Sequence, residues 1–413
     1  MNRNDTYNMK RKINVLLIGT ASRAQSLIRT MIQLPDVKIA ALCDLQKSRM
    51  EKAAKIITDA GLPPPKMHTD YKQLLNMKGL DAVIVATAWN SHIPICIDAL
   101  NAGLYVGTEV GCASSLEECY DLVKTSERTG KPCMMLENCC YGKNEMLIGN
   151  MIRDGVFGDI VSASCGYMHD LRVLAKQQYP YRLMQNVFRY GDLYLTHGLG
   201  PVCQWLGINK NNRILSVVSM SSAARGFSSW IKENMPEDQQ RQKLHFNNGD
   251  MTETMIRCAN GEMITITHTI SLPVPYSRRN GLFGTKAAYS EDCKGICIDS
   301  PDHKGEHKWT PIEDFYAKYN DPAWEKFEKS GLQADHGGMD YHVIRAFVDA
   351  VKKQTQTPID VYDTATWAAV SVLSEQSIIH GSSPVFMPDF TNGKWLSRDI
   401  NNRGNFKSPA KFD

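Results

Sequence analysis

Residues 13–24 read Ile13-Asn14-Val15-Leu16-Leu17-Ile18-Gly19-Thr20-Ala21-Ser22-Arg23-Ala24. A short apolar run ends in glycine and passes at once into helical spacing, carried by Ala24, Leu27, Ile28 and Met31. Strand, turn and helix in that order form a phosphate cradle whose fingerprint is G-x-G-x-x-G/A. Gly19 fills the first position and Ala24 is an allowed third. The second is Ala21, where the side chain is normally absent so that a pyrophosphate can approach the backbone. Context strengthens the imperfect motif. A second apolar run, 37–43, ends at Asp44, which lies 20 residues beyond Ala24. A carboxylate there binds ribose hydroxyls and repels a 2′-phosphate, so the expected cofactor is NAD rather than NADP.

The same texture continues outward. Apolar runs at 82–86, 105–109 and 133–136 alternate with helical stretches at 47–60, 93–102 and 116–129. Near-continuous apolar strands alternating with helices imply a parallel sheet covered on both faces. Its ligands bind at the strand carboxyl ends. After about residue 155 period-two alternation takes over, at 160–168, 214–220, 252–257 and 263–271. The fold class expected is therefore α/β: a doubly wound Rossmann domain, 13–151, and an α+β domain, 152–413, with an open, mostly antiparallel sheet. Residues 1–12 read as a tail. Stretches 337–353 and 363–379 have helical periodicity, and these C-terminal helices can pack back on the first domain. The polar stretch 236–248 reads as a loop.

A formal net charge of +3, from 47 basic and 44 acidic residues, gives no nucleic-acid or anionic-membrane signal. No apolar run approaches the roughly 20 residues of a membrane span. The basic Met9-Lys10-Arg11-Lys12 resembles the start of an export signal, but the run after it leads straight into the nucleotide turn. It reads as the first strand. The expected location is cytoplasmic, or periplasmic if an export signal was trimmed. The 12 cysteines are scattered without a CxxC pair; Cys293 and Cys297 come nearest, and no second pair completes a zinc site. Buried reduced thiols are expected, and no metal.

Four further segments carry a resemblance. They are Met135-Leu-Glu-Asn-Cys-Cys-Tyr-Gly142, Tyr167-Met-His-Asp-Leu-Arg172, Leu193-Tyr-Leu-Thr-His-Gly-Leu-Gly-Pro201 and Pro275-Tyr-Ser-Arg278. In this order, behind such a nucleotide domain, they resemble glycoside hydrolase family 109, the NAD-dependent α-N-acetylgalactosaminidases within the Gfo/Idh/MocA superfamily. The resemblance implies a cofactor site at Gly19, Arg23, Ala24, Asp44, Trp89, Asn90, Ser91, His92, Glu109, Val110 and Asn138. It implies a sugar site at Tyr167, Arg182, Tyr194, Leu195, Thr196, His197 and Tyr276, with Glu137 and His169 nearby. Two departures stand out. The family's glycine-rich turn is Ala21 and Ala24 here, and its Glu-Val-Pro is Glu109-Val110-Gly111.

Most glycosidases use two carboxylates. The candidates here are tyrosine and histidine, which fits an NAD-dependent exception. The implied route oxidises C3 of the sugar, removes the acidified C2 proton, expels the C1 group, adds water and returns the hydride. Phenol and imidazole move protons near neutral pH when their surroundings allow it. Tyr167 and His169 lie two apart on an expected strand and share one face. Tyr167 is the candidate base at C2, and His197 the candidate partner of the C3 oxygen. Arg182 offers a donor fork to hydroxyls or an acetamide. Each residue taken alone has a plainer reading: a core tyrosine, a solvated His169–Asp170 turn, a helix-start His197 and a His336-Gly337-Gly338 loop.

Two other functions stay open. A sugar or cyclitol dehydrogenase of this superfamily places lysine where Val110 stands. A non-catalytic sugar- or nucleotide-sensing homologue would account for Ala21. The expected partner is a small carbohydrate, with a homo-oligomer possible and neither nucleic acid nor membrane involved.

Overall fold

A computed structural model describes residues 11–178, 180–299 and 308–398. Of the tail assigned to residues 1–12, residues 1–10 lie outside the described residues. The rest divides into two compact units. The first takes the chain up to Lys143 and adds Asp321–Thr366; the second takes Asn144–Asn320 and the chain from Trp367. The division thus falls at 143/144 rather than at 151/152, and the first unit reclaims a segment from far along the chain.

The first unit is built on a six-stranded sheet: β1 (Ile13–Ile18), β2 (Val37–Cys43), β3 (Lys66–His68), β4 (Ala82–Val85), β5 (Tyr105–Thr108) and β6 (Cys133–Met135). The order is β3-β2-β1-β4-β5-β6, and every pairing is parallel. Residues of β4 and β5 are buried throughout, as strands covered on both faces must be. Strand order reverses beside β1, so the crevice between the ends of β1 and β4 is the topological switch point. β3 gave no signal in the sequence because it is a three-residue, mostly exposed edge strand.

The reclaimed segment contributes helices Pro322–Ser330 and Met339–Lys353. The second packs against helix Ser22–Met31 and the turn Asn138–Tyr141. Arg345 donates to both carboxylate oxygens of Asp36, at 2.8 and 3.0 Å, and Lys352 adds a third contact at 2.8 Å.

The second unit holds a nine-stranded mixed sheet: β7 (Ile160–Met168), β8 (Ile214–Ser221), β9 (Thr252–Cys258), β10 (Met263–Thr269), β11 (Gly281–Gly284), β12 (Ala287–Ser290), β13 (Gly295–Ile298), β14 (Thr310–Pro311) and β15 (Val385–Phe386). Its order is β14-β13-β12-β11-β7-β10-β9-β8-β15. Only β7 and β10 run parallel. β9 alternates buried and exposed residues along its whole length, the pattern that its period-two sequence predicts. The strands that escaped sequence reading, β11–β15, are two to four residues long, too short for any period to show. Within 236–248 one short helix forms, Gln239–Gln242, capped by Asp238, whose carboxylate accepts from Arg241 N at 2.9 Å.

Candidate active site

In the first unit the nucleotide turn follows β1. Gly19 has φ +87°, and a Cβ there would lie 2.4 Å from the carbonyl oxygen of Ala86 at the end of β4. Glycine is therefore required for both conformation and space. Ala21 is different: its backbone is extended (φ −70°, ψ −175°), so its methyl group costs no backbone strain. It precedes helix Ser22–Met31, whose N-terminus has no side-chain cap and no acidic residue in its first turn. Unsatisfied N–H groups and the positive end of the helix dipole suit an anion there. Ala24 is buried at the helix–sheet contact.

Asp44 is largely buried. One oxygen accepts from Thr20 N (2.8 Å) and Thr20 Oγ1 (3.0 Å), and the other from Gln46 N (2.9 Å). The carboxylate thus ties the end of β2 to the turn after β1. The oxygen that accepts from Gln46 has one donor only and so has room for a second, such as a ribose hydroxyl.

Trp89, Asn90, Ser91 and His92, expected in a loop, form the first turn of helix Trp89–Asn101. His92 is buried, and its Nε2 donates to the carbonyl of Thr87 at 3.0 Å. Burial holds its pKa down to about 4, so it is neutral at working pH. Ser91 Oγ donates to the carbonyl of Ala88 at 2.7 Å, and Asn90 is exposed. Gly111 explains the missing proline after Val110: a Cβ there would sit 2.7 Å from Trp89 Cδ1 and 3.1 Å from His92 Nδ1. Val110 itself is buried.

Arg23 is gripped by two carboxylates. Its Nε donates to Glu109 Oε1 at 2.8 Å, and Nη1 and Nη2 donate to the two oxygens of Asp340 at 2.5 and 3.1 Å. Asn138 Nδ2 also donates to Asp340, at 2.8 Å. Glu137 is fully buried and accepts from the backbone N–H of Cys139 at 3.1 Å.

In the second unit the expected sugar residues converge on Tyr167. Its ring centroid lies 4.8 Å from that of Tyr194, 5.6 Å from His197, 5.7 Å from His169 and 5.8 Å from Tyr276. Four chain segments bring these rings together. Tyr167 ends β7. A bridge between Met168 and Ser277 sets Tyr276 beside it. Helix Tyr181–Phe188 supplies Arg182, whose guanidinium carbon stands 4.2 Å from the Tyr194 ring centroid, a cation–π contact. Helix Thr196–Trp205 follows a loop and carries His197 as its second residue.

That helix reaches β7 through paired glycines. A Cβ on Gly198 would fall 2.6 Å from the backbone N and O of Gly166. The Tyr167 ring also packs into an apolar cluster with Leu183, Phe227, Ile231, Phe246 and Ile270, which keeps bulk water from one side of it. The plain reading of this tyrosine as a core residue is thus met by its surroundings.

The polar contacts form two chains. Arg182 hydrogen-bonds Tyr167, and Tyr167 Oη lies 3.0 Å from His169 Nδ1. Tyr194 Oη lies 3.2 Å from His197 Nε2. Burial first, then the Arg182 charge, lowers the pKa of His169, so its neutral imidazole can accept the Tyr167 proton. Leu195 is buried, and its carbonyl accepts from Gly198 N and Leu199 N at the helix start. The Thr196 hydroxyl is buried with no hydrogen-bond partner among the described residues, and Tyr276 is half exposed.

Sequence reasoning missed two neighbours. His268 pairs with Tyr167 across the parallel strands, and their rings stack at 6.5 Å. Burial and Arg182 push its pKa down to about 3. Asp192 is fully buried two residues before Tyr194, and its backbone N–H donates to Ser374 Oγ at 3.0 Å. Burial and the repelling Glu253 push its carboxyl up to about 8. His268 could have been found at the end of an alternating strand. Asp192 lay one residue outside the segment that attracted notice. All 12 cysteines are free, and ten are buried.

A glycine cradle at the switch point of a parallel sheet, followed by a second unit on a large mixed sheet, defines an NAD-binding Rossmann enzyme of two units. The family model described as "Oxidoreductase family, NAD-binding Rossmann fold" matches residues 13–137, and "Glycosyl hydrolase 109, C-terminal domain" matches residues 141–397. The chain belongs to glycosyl hydrolase family 109 and is an NAD-dependent glycoside hydrolase. A relative from Tannerella forsythia, named alpha-N-acetylgalactosaminidase, is 38% identical over 92% of this chain and 86% of its own length. One of the same name from Shewanella oneidensis is 35% identical over 93% and 86%. Among solved structures, levoglucosan dehydrogenase in complex with NADH shares the fold at TM-score 0.68 and 17% identity, covering 92% of this chain and all of its own. An NAD binding oxidoreductase from Klebsiella pneumoniae reaches TM-score 0.70 at 15% identity, covering 92% and 99%.

Proposed function

We propose that this enzyme hydrolyses terminal α-N-acetylgalactosaminides by an oxidation–elimination–addition–reduction cycle. The observation that carries the reading is the hydrogen-bonded chain Arg182–Tyr167–His169, packed against the Tyr194–His197 pair, in which a proton can pass between Tyr167 and His169. Such a path serves removal of a carbon-bound proton. It has no resemblance to a pair of carboxylates flanking a glycosidic bond.

Residues at and beyond the carboxyl ends of the parallel strands would hold the cofactor: Gly19, Arg23, Ala24, Asp44, Trp89–His92, Glu109, Val110 and Asn138. Bound NAD supplies a hydride acceptor at the start and a hydride donor at the end, so no net redox change results. Tyr167 takes the C2 proton once a C3 ketone has acidified it, and His169 receives the displaced phenol proton. The C2–H electron pair forms the C1=C2 double bond as the C1–O bond breaks. His197, oriented by Tyr194, accepts the C3 hydroxyl proton and later returns it. Arg182 and Tyr276 bind sugar hydroxyls or the acetamide, and Leu195 and Thr196 shape the site. Val110 cannot carry a hydroxyl proton as lysine would, which disfavours an ordinary dehydrogenase.

Incubation with p-nitrophenyl α-N-acetylgalactosaminide tests the reading. The expected result is chromophore release without NADH accumulation. NADH accumulating with free sugars would establish a dehydrogenase instead, and sugar bound without turnover a sensor. Tyr167→Phe and His197→Ala should each lower kcat by at least about 100-fold, the low end for proton-transfer groups. Near-normal kcat in both would remove the assigned roles.

A further inference from the structure

Asp340 has a fully buried carboxylate on helix Met339–Lys353, more than 300 residues from the nucleotide turn. An isolated charge so placed is strongly unfavourable, and here four donors compensate it. They are Arg23 Nη1 and Nη2, Asn138 Nδ2 at 2.8 Å and His336 Nδ1 at 3.0 Å. Burial alone would raise this carboxyl, but the His336 and Arg23 contacts hold it well below the usual carboxylate range. Its partners are two of the residues assigned to NAD, and a third, Glu109, takes the remaining edge of the same guanidinium. Both nitrogens at the end of the Arg23 fork and the amide of Asn138 are therefore set by one group.

His336 forms the outer layer. Its side chain is 51% exposed, yet its backbone is left-handed at φ +54°, followed by Gly337 at +65° and Gly338 at +105°. A non-glycine residue held in that region stores strain and persists only when its surroundings compensate. The ring bond to Asp340 supplies that compensation. The His336-Gly337-Gly338 segment, read as a loop from the sequence, is a single tight turn leading into helix Met339–Lys353.

We propose that Asp340, braced by His336, is a positioning residue for the cofactor. It orders Arg23 and Asn138 before NAD arrives and so sets the affinity for the dinucleotide without touching the sugar. The inference rests on the assignment of Arg23 and Asn138 to NAD made above. It is independent of which sugar is cleaved.

The test is dialysis of the loaded enzyme against graded free NAD, with no sugar present, to find the concentration that leaves half the chains occupied. Asp340→Asn keeps the shape and removes the charge. It should raise that concentration about tenfold or more, and the effect should shrink to within about twofold in an Arg23→Ala background, because coupled neighbours are non-additive. His336→Ala, at an exposed position, should raise it severalfold, and it decides the matter if Asp340→Asn does not fold. Unchanged NAD retention in either folded variant would overturn the proposal. So would an Asp340→Asn effect that persists undiminished without Arg23. A failed galactosaminide assay would leave it standing.

Discussion

Asp192 carries a carboxyl raised to about 8 by burial, with Glu253 adding repulsion. In an unfolded chain the same group titrates near 3.9. Between those values the folded state holds one proton more than the unfolded state, so stability falls as pH rises through the window. The slope is at most about 1.4 kcal/mol per pH unit. Asp192→Asn should flatten it: melting temperatures recorded from pH 5 to 8 should fall in the parent and hold level in the variant, relative to one another. Parallel curves would show that Asp192 is ionised at neutral pH. Gly19 is the second decisive residue. Gly19→Ala forces a side chain into φ +87° and onto the Ala86 carbonyl. The left-handed strain alone is about 1–3 kcal/mol. Loss of retained NAD with a lowered melting temperature is the expected readout.

Helix Thr196–Trp205 reaches β7 only because Gly198 meets Gly166 without side chains between them. That approach sets the height of His197 over Tyr167. Gly198→Ala should lift the helix at a cost of about 1–3 kcal/mol, typical of overpacking. It should also reduce kcat more than it raises KM, since small misplacements of a reacting group cost large rate factors. Melting temperature and steady-state kinetics measured together separate the two effects. A variant with lowered stability and full kcat would show that the contact matters only for packing. The element scale also explains why Leu195 and His92 stand among the site residues while burying their side chains. One starts the helix that carries His197, and the other pins the turn before helix Trp89–Asn101.

Two compact units share the chain, and only the first carries the nucleotide cradle. NAD at a hundred times its dissociation constant should stabilise that unit by about 2.7 kcal/mol. Scanning calorimetry should show an upward shift with NAD and a much smaller one with NADP at equal concentration, because Asp44 stands where a 2′-phosphate would go. Equal shifts would mean that Asp44, already engaged by Thr20 and Gln46, does not discriminate. No helix among the described residues is long and apolar enough to cross a membrane.

Local pattern was enough for the parallel sheet, the turn at Gly19, Asp44 and the alternating strands β7, β8, β9 and β10. Burial on two faces or one dictates the order of apolar residues within a few positions of each other, and that order is written along the chain. Resemblance added Tyr167, Arg182, Tyr194, His197 and Tyr276, which no period or spacing marks. Only the tertiary structure decided the rest. Asp340 and His336 return to Arg23 from more than 300 residues away, His268 stacks beside Tyr167 across a strand pairing, and Asp192 is raised by its burial. Contacts between distant segments, and the loss of water around them, depend on packing that no local stretch of sequence encodes.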